Sequence, residues 1–177
     1  MISYLITDPA HYTRNPIRFK KRLLRSISLH HPTYIALRDK NNPKLAKIAF
    51  RLKKMDNLVI NQDYRLARRA GIKNVHLTSS QIELAKRLRR SGFRVWVSAH
   101  DEAELALARR YRVHFVTFSP IFPTPGKGAP VGTKRLRHVV KKYGKNILAL
   151  GGVVKKRQIR RIARTKAAGF ASIRYFI

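Results

Sequence analysis

Cysteine is absent from this chain, which excludes disulfides, thiolate metal sites and cysteine nucleophiles. No apolar run approaches the ~20 residues of a membrane span, so no membrane partner is expected. The amino terminus opens directly on a strand-like Ile2-Ser3-Tyr4-Leu5-Ile6 without a leader pattern, and a cytoplasmic location is the expectation. Acid is scarce. Eight Asp and Glu face forty Lys and Arg, a formal net charge of +32, and no acid follows Glu104. Nor does a Gly-x-Gly-x-x-Gly follow the first strand, which disfavours a doubly wound dinucleotide-binding sheet.

What is present reads as one domain over residues 1–177, long enough for a single sizeable core. Strand candidates are Ile2–Thr7, Tyr34–Arg38, Asn57–Asn61, Val75–Thr78, Arg94–Ala99, Phe115–Ser119, Ile147–Leu150 and Phe170–Arg174. Amphipathic runs between them predict helices over about Ile17–Leu29, Pro43–Lys54, Asp63–Ala70, Ser80–Ser91, Asp101–Tyr111, Lys134–Tyr143 and Lys155–Ala167. Ser79 or Ser80, and Asp101 with Glu104, supply start signals, while Gly71, Gly92 and Gly169 are expected to close helices. Strand–helix alternation implies a parallel sheet. Eight such strands predict an α/β fold, a single-domain (β/α)8 TIM barrel.

The cations lie in every predicted helix, for example Arg18 to Arg22, Lys86 to Arg90 and Lys155 to Arg164. They occupy the polar positions of amphipathic patterns rather than one stripe or tail. Arg157-Gln158-Ile159-Arg160-Arg161-Ile162-Ala163-Arg164 lacks the acidic partners that usually sit one turn away. Such a distribution points to a barrel with a supercharged surface, recharged by design, rather than a dedicated nucleic-acid reader. A field of that size nevertheless captures nucleic acid or acidic proteins non-specifically. A non-enzymatic polycationic scaffold is therefore the rival expectation.

The most informative segment is Phe115-Val116-Thr117-Phe118-Ser119-Pro120-Ile121-Phe122-Pro123-Thr124-Pro125-Gly126-Lys127-Gly128. A buried strand empties into a loop stiffened by three prolines, with glycines flanking Lys127. Thr124, Gly126 and Lys127 are the parts of an anion-binding nest; a plain Pro-rich surface connection is the competing reading. In a barrel, strand C-termini converge on one mouth. Those ends carry Arg38-Asp39-Lys40, Asn61-Gln62-Asp63, His76 to Gln81, Ser98-Ala99-His100, Ser119 to Lys127, Gly151-Gly152 and Ser172-Ile173-Arg174. Cations, hydroxyls, amides and Gly-containing loops together describe a site for a phosphorylated small molecule.

The same residues resemble the thiamine-phosphate synthase and TenI-like superfamily. Arg38-Asp39-Lys40 resembles its Arg-Glu-Lys, and Leu58-Val59-Ile60-Asn61 its third strand. Val75-His76-Leu77 and Val97-Ser98-Ala99-His100 are similar to its fourth and fifth strands. Pro120-Ile121-Phe122-Pro123-Thr124-Pro125-Gly126-Lys127 is similar to its phosphate loop, and Ala149-Leu150-Gly151-Gly152-Val153 to its seventh strand. The resemblance implies a barrel acting on thiamine-precursor phosphates. Arg38, Lys40, Asn61, Ser98, Thr124 and Lys127 would hold pyrophosphate, with Gly126 in the same loop, and Gly151 and Gly152 would meet a thiazole phosphate. A departing pyrophosphate is stabilised by fixed donors and cations.

The synthases also hold Mg²⁺ on two aspartates. Here Gln62 and Gln81 stand at those positions, and neutral amides replace carboxylates poorly around a hard dication. No metal site or cofactor is therefore assigned, and the sequence argues against Mg²⁺. The eighth-strand phosphate site is replaced by Ile173-Arg174. TenI-like relatives lack the metal ligands and tautomerise a thiazole carboxylate phosphate, which needs an acid–base group. His100 stands where that role requires; a histidine orienting Ser98 or a backbone carbonyl is the alternative. His76 reads as a wall or core residue, and Trp96 as packing. The remaining histidines form no metal-ligand spacing.

Overall fold

The computed structural model describes residues 1–39 and 41–177. Eight parallel strands close on themselves in sequence order: β1 (Ile2–Ile6), β2 (Tyr34–Leu37), β3 (Leu58–Asn61), β4 (Asn74–Leu77), β5 (Arg94–Ala99), β6 (Phe115–Phe118), β7 (Ile147–Ala149) and β8 (Gly169–Ser172). Between them run α1 (Pro16–His30), α2 (Leu45–Leu52), α3 (Tyr64–Ala70), α4 (Leu84–Arg90), α5 (Glu102–Arg110), α6 (Gly132–Tyr143) and α7 (Lys156–Ala163). After β8 a 3₁₀ turn, Arg174–Phe176, stands where an eighth helix would begin. The predicted (β/α)8 barrel is the observed fold.

Alternation along the strands divides the apolar residues into two cores. One face packs on the helices, as in Leu5, Ile35, Leu37, Ile60, Val75, Val95, Val97 and Phe118. The other fills the barrel with Tyr4, Ile6, Ala36, Val59, Trp96, Leu148 and Ala171. Trp96 is fully buried there, 5.0 Å centroid to centroid from Tyr34 and 5.3 Å from Phe115. Small Ala36 and Ala171 in the same interior leave room for its indole. Packing is indeed its role.

Local signals account for most boundaries, with corrections. Asp101 caps α5 by accepting the Glu104 N–H at 2.8 Å, but Glu104 reaches back to the His100 N–H rather than to Asp101. Thr78, not Ser79 or Ser80, starts the turn before α4, and Gln81 completes the capping box. Gly71 ends α3 in the left-handed region, as expected. Gly169 closes no helix. It is the first residue of β8, paired with Ile2 of β1, and a Cβ there would collide with the Ile2 backbone. Glycine is required where the two ends of the sheet meet. Helix α7 stops at Ala163, short of the predicted Ala167, where Thr165 turns the chain by donating to the Ile162 carbonyl; β8 stops at Ser172, whose hydroxyl accepts the Tyr175 N–H of the following 3₁₀ turn.

Candidate functional site

The strand C-termini open onto a cavity of about 650 Å³, within the usual size of small-molecule sites. Of the residues expected to form the site, Arg38, Asn61, Ser98, His100, Thr124, Lys127, Gly151 and Gly152 all line it. Gly126 does not. It lies exposed at φ +69 in the turn closed by Lys127 N–H donating to the Thr124 carbonyl, and shapes the loop instead of the wall. Lys40 lies outside the described residues.

The loop after β6 is held against the loop after β7 by main-chain bonds. Ile121 N–H donates to Leu150 O at 2.9 Å and Phe122 N–H to Gly151 O at 3.1 Å. Gly151 and Gly152 both have positive φ. A Cβ on Gly151 would lie 2.8 Å from Pro120 Cα, and one on Gly152 2.8 Å from Phe122 backbone carbon. These glycines are needed first for the close approach of two loops, which brings Lys127 and the Val153-Val154 segment leading into α7 to the same wall. Gln158 accepts the Val154 and Lys155 N–H groups and donates to Gly152 O at 2.7 Å, fixing that start.

His100 Nδ1 lies 3.2 Å from the Ser119 carbonyl. Nδ1 also lies 3.2 Å from Ser119 Oγ, so Ser119 orients the ring through both its carbonyl and its hydroxyl. The carbonyl contact matches the structural role considered for His100. Ser98 is not its partner.

Ser98 belongs to a network that the sequence did not reveal. His76 is buried at the floor of the cavity, with Nε2 3.1 Å from Ser98 Oγ and 3.3 Å from Thr117 Oγ1, and Nδ1 3.0 Å from Tyr4 Oη. Burial pushes the Tyr4 phenol up and keeps it protonated. With Tyr4 donating to Nδ1, the ring proton sits on Nε2 and is directed at the Ser98 and Thr117 hydroxyls. Burial, reinforced by the nearby Arg38 charge, lowers the His76 pKa to about 4, so the ring is neutral at physiological pH. The signal was present in period-two alternation: Asn74, His76 and Thr78, then Trp96, Ser98 and His100, then Phe115, Thr117 and Ser119 share the inner face.

Charge at the mouth is uneven. Arg38 pairs with Asp8 at 2.7 Å and so is partly neutralised. Asp8 and His11, which the sequence did not single out, also line the cavity, as does Arg174, expected at the mouth but assigned no ligand. Gln62 has φ +66 and its carbonyl receives the Gln81 side-chain amide at 3.3 Å, while Gln81 Oε1 accepts the Thr78 N–H. Among the described residues no group of three or more His, Asp or Glu is placed to hold a metal.

The thiamine monophosphate synthase family profile matches residues 3–176. A Geobacter sulfurreducens protein provisionally named thiamine-phosphate synthase is 32% identical over 151 residues, covering 78% of this chain and 70% of its own. Thiamine-phosphate synthase of Yersinia pestis (strain Pestoides F) is 32% identical over 122 residues, 66% of this chain; that stretch is 55% of the Yersinia protein, little more than half its length. The thiamine phosphate pyrophosphorylase of Pyrococcus furiosus superposes with a TM-score of 0.80 at 21% identity, over 97% of this chain and 85% of that one. At that identity the likeness supports the fold alone.

Proposed function

The chain belongs to the thiamine monophosphate synthase family, and from that premise we propose that its mouth binds thiamine-precursor phosphates. Arg38, Asn61, Ser98, Thr124 and Lys127 are the pyrophosphate ligands in this reading, and Gly151 and Gly152 meet the thiazole phosphate. His100 Nε2 is the acid–base group of a TenI-like proton shift. One observation carries the proposal: residues at the C-terminal ends of all eight strands line a single cavity, and no covalent nucleophile is needed where fixed cations and hydroxyls stabilise a leaving or transferred anion.

Titration calorimetry tests it, with thiamine phosphate, thiazole phosphate and pyrophosphate at salt high enough to screen the surface. Saturable binding is expected. Lys127→Ala should weaken it about tenfold or more, as befits a hydrogen bond to a charged group, with an unchanged melting temperature because Lys127 is exposed. Equal, salt-abolished binding of unrelated anions would overturn the reading.

A second reading, capture of polyanions by the recharged surface, is favoured by a groove of about 420 Å³ lined by Lys86, Arg89, Arg90, Arg110, Tyr111 and Arg112. It lies where α4 and α5 end, on the face opposite the mouth. No acid lines it. Binding there is expected to be independent of nucleic-acid sequence and steeply salt-dependent.

A further inference from the structure

A divalent cation held by this mouth needs free carboxylates, and the chain has eight acids in all. Six already have side-chain or capping partners in the described structure. Asp8 pairs with Arg38 and Asp39 with Arg14. Asp63 and Asp101 cap α3 and α5. Glu102 holds Arg135, Lys142 and the Tyr143 hydroxyl, and Glu104 accepts the His100 N–H. Asp56 and Glu83 do not line the cavity, whose one carboxylate is Asp8. The amides of Gln62 and Gln81 offer no replacement. Gln81 is spent in a capping box and on the Gln62 carbonyl, and a neutral amide is a weak ligand for a hard dication. The residues present do not fit Mg²⁺.

The same cavity contains two cations without acidic partners. None of the ion pairs among the described residues involves Lys127 or Arg174. Arg174 also stands on a firm base. Ser172 Oγ donates to the Val153 carbonyl at 2.6 Å and accepts the Tyr175 N–H at 3.1 Å. Phe176 is fully buried, stacked at 5.8 Å on Phe170. The 3₁₀ turn is thus pinned on both sides of Arg174, and its exposed guanidinium is the freely adjustable part.

We infer that this mouth meets the charge of its phosphorylated ligand with Arg174 and Lys127 in place of a divalent cation, so that binding is metal-independent and Arg174 is a ligand-contacting residue. The inference rests on the proposed thiamine-precursor site. A planar guanidinium offers paired donors that match phosphate oxygens, and a lysine adds a mobile point charge. A permanently charged pair also needs no ion to be recruited before the ligand arrives.

Calorimetric titration of the full chain with pyrophosphate and with thiazole phosphate, each in EDTA or in excess Mg²⁺ at matched ionic strength, decides the matter. Binding in EDTA is expected, with no tightening by Mg²⁺. Arg174→Gln should weaken at least one of the two ligands about tenfold or more, since a hydrogen bond to a charged group is lost, and Arg174→Lys should recover part of it. Arg68→Gln, which removes the same charge from the exposed last turn of α3, should leave both unchanged, separating contact from bulk field. Thermal melts of the variants confirm that each is folded. Tightening by Mg²⁺ of about tenfold or more, or an unchanged Arg174→Gln, overturns the inference while leaving the site itself standing. Absence of saturable binding under every condition overturns the site reading instead.

Discussion

The groove at the rear of the barrel holds more formal charge than the mouth, yet only the mouth is built as a site. Five cations line the rear groove, against Arg38, Lys127 and Arg174 at the front. Arg89, Arg90 and Arg110 sit in the last turns of α4 and α5, where a cation complements the helix dipole and needs no ligand to justify it. At the mouth the cations are joined by hydroxyls, an oriented imidazole and two interlocked loops. Number of charges fails to separate the two regions. Convergence of different donors on a rigid frame does.

The most severe way to break the comparison is to unlock the mouth. Gly152→Ala places a Cβ against Phe122 and Pro123 at φ +66. The left-handed conformation costs about 1–2 kcal/mol and overpacking about 1–3 kcal/mol. A loss of about 2–5 kcal/mol is expected, visible as a fall in Tm of roughly 5–20 °C. Gly126→Ala, in the same loop system but with nothing within 4 Å of its Cβ, should cost only about 1 kcal/mol through its backbone. Equal melting of the two variants would show that the two loops are not locked together.

The floor of the mouth supplies the next contrast, through pH. His76 has its pKa lowered from 6.5 to about 4, first by burial and then by Arg38. The folded chain therefore holds this ring neutral while the unfolded chain protonates it. Stability should fall as pH drops from about 6.5 to about 4, by roughly 3 kcal/mol over the whole window, and should show no such contribution above it. His76→Gln should flatten that slope in denaturant melts recorded across the window. A variant that keeps the wild-type slope would place the acid sensitivity elsewhere, for instance at His114, whose pKa is lowered by burial and by Arg89 and Arg94.

Much of this architecture was legible in the sequence, for identifiable physical reasons. Strand and helix periods are local, so the order of eight strands and seven helices could be read directly. Eight of the ten expected site residues line one cavity because strand C-termini must converge in a barrel. Long-range contacts were not legible. Gly169 has the look of a helix-closing glycine, and only the meeting of β8 with Ile2 explains it. Gly151 and Gly152 read as contacts to a thiazole phosphate, yet their first duty is clearance for Pro120 and Phe122. His76 was undervalued because its partners Tyr4, Ser98 and Thr117 come from three other strands. Arg174 read as a departure from the family pattern, when its place on a pinned turn at the mouth makes it a candidate contact.

The smallest expected effect on stability sharpens the comparison from the rear. Arg90→Gln/Arg110→Gln removes two cations from the groove, where each lies at a helix end on the surface. Surface substitutions of this kind change stability by about 0.5 kcal/mol or less, so melting should barely move. Polyanion capture should respond differently. Each phosphate contact removed lowers the slope of log affinity against log salt by about one. Filter binding with scrambled RNA and DNA oligonucleotides should thus show a slope reduced by up to about two, while titration with pyrophosphate is unaffected. If the groove is merely one part of a uniform field, neutralising two cations out of forty should leave the slope almost as it was, and the same double change placed on α7 at Arg157 and Arg160 should do equally little. A loss confined to the groove variant would make the rear face a second binding surface, while equal small losses would return it to ordinary solvated helix ends.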